Sequence, residues 1–181
     1  GCLLGAAMGD ALGMPHESGA PNLQKMKYGY RRAYRNHPNE ALSPGQYTDD
    51  TQLMILAGTL LADGKFNEER YAVSLRELCL RGALRFPDST VGAFCESAEK
   101  EHELRKGVKS TTSGCLPVAV PFALAYPAMS EGCERAVRAC TVTHTHPAAH
   151  AAVSTLVTLL YHALHETPGP VERALTKARA E

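Results

Sequence analysis

Tyr47-Thr48-Asp49-Asp50-Thr51 runs directly into an apolar stretch, Leu53–Leu61. The stretch reads as a helix over about 50–62, closed by Gly64. Thr and Asp are ordinary N-caps, and acids in a first turn suit the helix dipole. The same five residues also hold two adjacent carboxylates and two hydroxyls. Such an all-oxygen set suits Mg²⁺, Mn²⁺ or Ca²⁺ rather than Zn²⁺. Taken alone, the pentapeptide supports both readings, helix cap and cation ligand.

Outward from this junction the periodicity stays helical. Leu4, Ala7, Met8, Ala11 and Leu12 form an opening helix, crossed by a bare stripe of Gly1, Gly5, Gly9 and Gly13. Glycines weaken a helix by roughly 1 kcal/mol each against Ala, so the stripe predicts a backbone or a ligand close to that face. Residues 14–46, with Pro15, Pro21, Pro38 and Pro44, form a long irregular connection, a kind of segment that is usually functional or disordered. Asn67 caps a third helix expected to reach about Phe86. Asp88 or Ser89 starts a fourth, ending near Gly107. Further helices are expected over about 116–126, from Ser130 to about 142, over about 147–165, and from Pro170 onward. No stretch alternates as a strand. The prediction is one all-α domain over 1–181, with about eight helices.

The chain has 181 residues, enough for one sizeable core, and its 19 basic and 19 acidic residues balance. No basic excess points to nucleic acid, and no apolar run is long enough to span a bilayer. No signal peptide is visible. Six cysteines without a Cys-x-x-Cys pair predict buried free thiols and a cytoplasmic location.

Three more segments carry chemistry-bearing residues. Asp10 and Glu17 stand at the end of the glycine-striped helix and in the turn beyond it. Ser113-Gly114-Cys115-Leu116 places a loop glycine at a helix start, where free N–H groups favour anions. Thr143-His144-Thr145-His146-Pro147 is a helix junction carrying imidazoles. His146 and His150, four apart, suggest zinc, but no Glu or Cys completes a zinc motif.

In this order and spacing, the segments resemble the ADP-ribosylglycohydrolases. Gly1–Gly13 looks like the family's opening helix, and Tyr47–Thr51 like its first metal motif. Phe86-Pro87-Asp88 with Gly92 is similar to its Pro-Asp-x-Gly region. Ser113-Gly114 with Pro121, and Thr143-His144 with His146-Pro147, are similar to two later motifs. The resemblance implies an all-α ADP-ribosylglycohydrolase-like fold and hydrolysis of the bond joining ADP-ribose to a protein side chain, usually arginine. It implies Mg²⁺ or Mn²⁺, two ions in the family, with Thr48, Asp49 and Asp50 as ligands. Asp49, Asp50 and Glu17 would serve catalysis, with Glu17 near the scissile bond. Asp10 would order the site, and Ser113, Gly114, Cys115 and His144 would meet the substrate. The partner implied is ADP-ribose or an ADP-ribosylated protein.

The pattern also departs from the family. No Asp follows residue 88, so the family's second metal motif, Gly-x-Asp-Thr-Asp, is missing, and Pro117 and Val118 replace a Met-Arg pair. These departures predict the N-terminal portion of a longer glycohydrolase, or a short relative. They also predict weak metal binding and slow or no turnover by these 181 residues. An inactive relative that binds ADP-ribose or a partner protein, and a purely structural helical module, are the alternative functions. An apolar surface left uncovered would favour a homodimer.

Overall fold

The computed structural model describes residues 1–17, 29–100, 107–166 and 169–180. Eight α-helices make up the described fold: α1 (Cys2–Gly13), α2 (Asp49–Ala62), α3 (Glu68–Leu80), α4 (Ser89–Lys100), α5 (Ala119–Ala125), α6 (Met129–Cys140), α7 (Pro147–Leu164) and α8 (Pro170–Ala178). Short 3₁₀ turns at Met14–His16 and Leu116–Val118 precede the first long connection and α5. Among the described residues there is no strand, only one isolated parallel bridge between Val108 and His144. The fold is all-α, as the periodicity predicts.

The main core is built from Leu53 and Ala57 of α2, Leu75 of α3, Val91 of α4, Phe122 of α5, Ala136 of α6, and Val153 and Val157 of α7. Fully burying a side chain of the Val, Leu or Phe type contributes about 1.5–3 kcal/mol. This core therefore outweighs the weak intrinsic propensity of the Val-rich turns. α2 packs on α1, α3 and α5, while α7 packs on α5, α6 and α8. The start of α2 thus lies where the first helix meets the body of the molecule.

Three expectations need correction. The third helix stops at Leu80 rather than near Phe86, because Gly82 takes a left-handed turn at φ 60° and breaks the run. The cysteines are not all free: Cys79 and Cys95 form a disulfide that joins α3 to α4, while Cys2, Cys115, Cys133 and Cys140 are thiols. Of the two neighbours expected for the opening glycine stripe, a backbone or a ligand, the backbone is absent among the described residues, while Gly9 and Gly13 line a cleft. A Cβ added at Gly1, Gly5, Gly9 or Gly13 would have nothing within 4 Å. Of α1 only Ala11 is buried, and Leu3, Leu4, Met8 and Leu12 are exposed. The fourth helix, expected to end near Gly107, is described as far as Lys100, and Gly107 is not helical; residues 101–106, between them, lie outside the described residues. No described helix is long and apolar enough to cross a membrane.

A carboxylate cluster at the start of α2

Asp10, one turn from the end of α1, points at the first turn of α2. Its carboxylate accepts the Thr48 backbone N–H at 2.9 Å, the Thr48 hydroxyl at 2.8 Å, the Thr51 N–H at 3.1 Å and the Thr51 hydroxyl at 2.6 Å. Helix starts leave N–H groups without intrahelical partners, and a local Ser, Thr or Asp usually supplies the acceptor. Here Thr48 occupies the N-cap position, yet its own side chain makes no capping bond. The cap comes from α1 instead. Four donors fill the acceptor capacity of one carboxylate, so Asp10 shapes the site more than it offers a vacant ligand.

Because the cap is supplied from elsewhere, Asp49 and Asp50 are not consumed by it. Asp49 is buried, and its backbone N–H donates to the Arg85 carbonyl at 3.0 Å. Burial first, and the neighbouring Asp50 second, push its carboxyl up to about 8. Asp50 is pushed up to about 6 by burial and by Asp10. Glu17 is also raised, chiefly by burial, against the lowering effect of a hydrogen bond from Asn39. Like charges in a desolvated site oppose joint ionisation.

One oxygen from each of Asp10, Glu17 and Asp50 lies within 4.8 Å of the others. The sequence reading took Thr48, Asp49 and Asp50 as the ligand set; the geometry gathers Asp50 with Glu17 and Asp10. Asp49 faces a neighbouring cleft. The donors are hard oxygens with no imidazole or thiolate among them, and they fit Mg²⁺, Mn²⁺ or Ca²⁺ in kind.

Two clefts share this wall. One, of about 470 Å³, is lined by Asp10, Glu17, Asp50 and Ser113 together with Gly9, Gly13, Met54, Leu116, Pro117 and Leu156. The other, of about 500 Å³, is lined by Glu17, Asn39, Asp49, Asp50, Asp88, Ser113 and Gly114. Both volumes suit a small-molecule ligand. The first offers apolar walls and the second a concentration of carboxylates.

Asp88 organises the far side. Its Oδ1 accepts the N–H groups of Thr90 and Val91 at 3.0 and 2.8 Å and so caps α4, while its Oδ2 accepts the Gly114 N–H at 2.9 Å. A Cβ on residue 114 would stand 2.5 Å from the Asp88 carboxyl carbon, so this contact requires glycine. The bond occupies the Gly114 N–H that the sequence reading reserved for an anion.

His144 and Cys115 sit behind the clefts rather than in them. His144 is fully buried, with Nδ1 bonded to the Thr143 hydroxyl at 2.8 Å and Nε2 to the Thr112 hydroxyl at 2.9 Å. Burial lowers its pKa, His150 adds to the effect, and Asp88 at 3.9 Å opposes it. Through Thr112, and through the Val108 pairing with residues 143 and 145, it braces the loop that carries Ser113. Cys115 is buried and hydrogen-bonded to Cys140. His150 bonds the His144 carbonyl, which leaves no three-residue zinc set among the described residues.

Sequence reasoning passed over His37 and Asn39, both buried polar residues of the long connection. The one available signal was the length of that connection.

A family model described as ADP-ribosylglycohydrolase matches residues 1–181. An uncharacterised protein of Archaeoglobus fulgidus is 35% identical over 151 residues, which cover 82% of this chain and 50% of that protein. An ADP-ribosyl-[dinitrogen reductase] glycohydrolase of Rhodospirillum rubrum is 29% identical over 176 residues, covering 90% of this chain and 56% of that enzyme. The chain thus spans about half the length of the curated relatives it matches.

Proposed function

The chain belongs to the ADP-ribosylglycohydrolase family, and from that premise we propose that it serves metal-dependent hydrolysis of the glycosidic bond joining ADP-ribose to a protein side chain, with arginine the expected linkage. The observation that carries this reading is the convergence of Asp10, Glu17 and Asp50 on the wall shared by two ligand-sized clefts. Asp50 and Glu17, with Asp49 and the Thr48 hydroxyl beside them, would hold a divalent cation of the Mg²⁺ or Mn²⁺ kind. When bound, such an ion supplies polarisation of ribose hydroxyls and an acidified water.

The remaining roles fall to the chain itself. Asp10 orients Thr48 and Thr51. Asp49, pushed up to about 8, keeps its proton at neutral pH in the metal-free chain. Glu17, as a carboxylate beside the cation, would set negative charge next to an oxocarbenium-like centre, which glycosidic cleavage favours. Asp88, itself in the wall of the second cleft, fixes Gly114, and the buried His144 braces Thr112, so the substrate-facing loop is held in place.

A second reading is ADP-ribose binding without turnover. One assay separates the readings. With an ADP-ribosyl-arginine peptide and Mn²⁺, the expected result is ADP-ribose release that is lost in Glu17→Gln and in Asp50→Asn. Stabilisation by ADP-ribose without release marks the binder. An Asp49→Asn/Asp50→Asn variant that keeps release would sink the role of these two acids, and a wild-type chain that neither binds nor releases ADP-ribose would leave a structural module.

A further inference from the structure

Glu17 is the last described residue before the long connection resumes at Gly29, and two residues of that connection hold it at both ends. His37 Nε2 lies 2.8 Å from the Glu17 carbonyl, and the Asn39 backbone N–H donates to His37 Nδ1 at 3.0 Å. Since Nδ1 accepts, the ring proton sits on Nε2 and is donated to Glu17. Asn39 Nδ2 donates to Glu17 Oε2 at 2.6 Å and reaches the Met14 carbonyl at 3.5 Å. Turning the amide over would set its carbonyl against two acceptors, so this orientation is fixed by the network.

That orientation has a consequence for Asn39 Oδ1. The residue is 1% exposed, and Oδ1 has no hydrogen-bond partner among the described residues. A buried acceptor left unpaired is destabilising, and an apolar side chain of the same size would avoid it. Packing alone therefore does not account for Asn39. Its Nδ2–Glu17 bond does, because that bond takes one carboxylate oxygen and leaves Oε1 without a hydrogen bond among the described residues. Met14, Ala33 and Leu42 form a small apolar cluster of their own, which anchors the connection beneath the clamp.

We propose that Asn39, supported by His37, is a positioning residue that aims the Glu17 carboxylate into the Asp10–Asp50 cluster with one oxygen free for a hard cation. The inference rests on the cation reading of that cluster. Mn²⁺ titrations of the full 181-residue chain followed by electron paramagnetic resonance test it, because they report weak binding without requiring turnover.

Asn39→Leu is expected to weaken Mn²⁺ binding at least fivefold with a thermal midpoint equal to or above wild type. Asn39→Asp keeps the shape but opposes Glu17, and is expected to weaken binding at least as much. Glu17→Gln alone should match the Asn39→Leu loss or exceed it, and the double variant Glu17→Gln/Asn39→Leu should be no weaker than Glu17→Gln. Wild-type affinity in both Asn39 variants, or losses that add in the double variant, overturn the positioning role while leaving the cation site standing. A wild-type chain that takes up no Mn²⁺, or whose binding ignores Glu17→Gln and Asp50→Asn, overturns the cation reading and this inference with it.

Discussion

Asp49 and Asp50 are acids that the folded chain keeps protonated well above their ordinary range, at about 8 and about 6. An unfolded Asp loses its proton near pH 3.9. Between those values the folded chain binds more protons than the unfolded one, so stability falls as pH rises from about 4 to about 8. Thermal unfolding across that range in EDTA should show the decline, and Asp49→Asn/Asp50→Asn should flatten it. Asp10 behaves differently, since its charge is spent on Thr48 and Thr51. Asp10→Asn would turn an amide donor toward those N–H groups and should cost about 2–4 kcal/mol, given that hydrogen bonds to a charged group contribute roughly 1.5–3 kcal/mol each; urea unfolding checks it. The sequence places Asp10, Glu17 and the acid pair in one candidate site, and the fold brings Asp10, Glu17 and Asp50 together. It could not tell cap from ligand at residues 48–50, because the capping carboxylate lies 38 residues away. No local pattern reports a partner at that distance.

Several helix starts were legible where a single residue sets them, although α6 begins at Met129 rather than after a Ser130 cap. The helix beginning at Asp49, the Asn67 cap and Pro147 at the head of α7 all follow from local chemistry. Asn67 accepts the Arg70 N–H at 2.7 Å, as a capping side chain should. The overrun of the third helix past Gly82 came from weighing apolar residues over a left-handed glycine. The clamp at His37 and Asn39 lies in a segment without periodicity, so nothing in the spacing announces it. At the element scale, Asp88 ties the first turn of α4 to the loop that opens onto α5. Asp88→Ala should cost about 1–2 kcal/mol from the lost cap. Gly114→Ala should cost about as much or more, because its methyl group would displace the Asp88 carboxylate from Thr90 and Val91. Both variants are expected to reduce ADP-ribose binding along with the unfolding midpoint. A Gly114→Ala variant of wild-type stability would contradict the contact.

Across the whole molecule, one apolar core carries the fold, and a patch of mutually repelling acids sits where α1 joins it. A cation that relieves the repulsion should raise stability by RT ln(1 + [L]/Kd), or about 1.4 kcal/mol at ten times Kd. The gain should be larger at pH 8 than at pH 5, where Asp49 and Asp50 already carry protons. Midpoints with Mn²⁺ and with EDTA at the two pH values test this, and equal gains would count against the site. The all-α class and its helix order could be read from periodicity because each helix buries a face. The disulfide could not, since spacing in the chain does not fix which thiols meet. The cap that crosses from Asp10 to α2 also bears on the order of folding. Thr48 and Thr51 find their acceptor only after a loop of 38–41 residues has closed, and that closure loses entropy before any contact offsets it. In native-state hydrogen exchange the amide protons of Thr48 and Thr51 should therefore open together with the detachment of α1, ahead of the interior of α2.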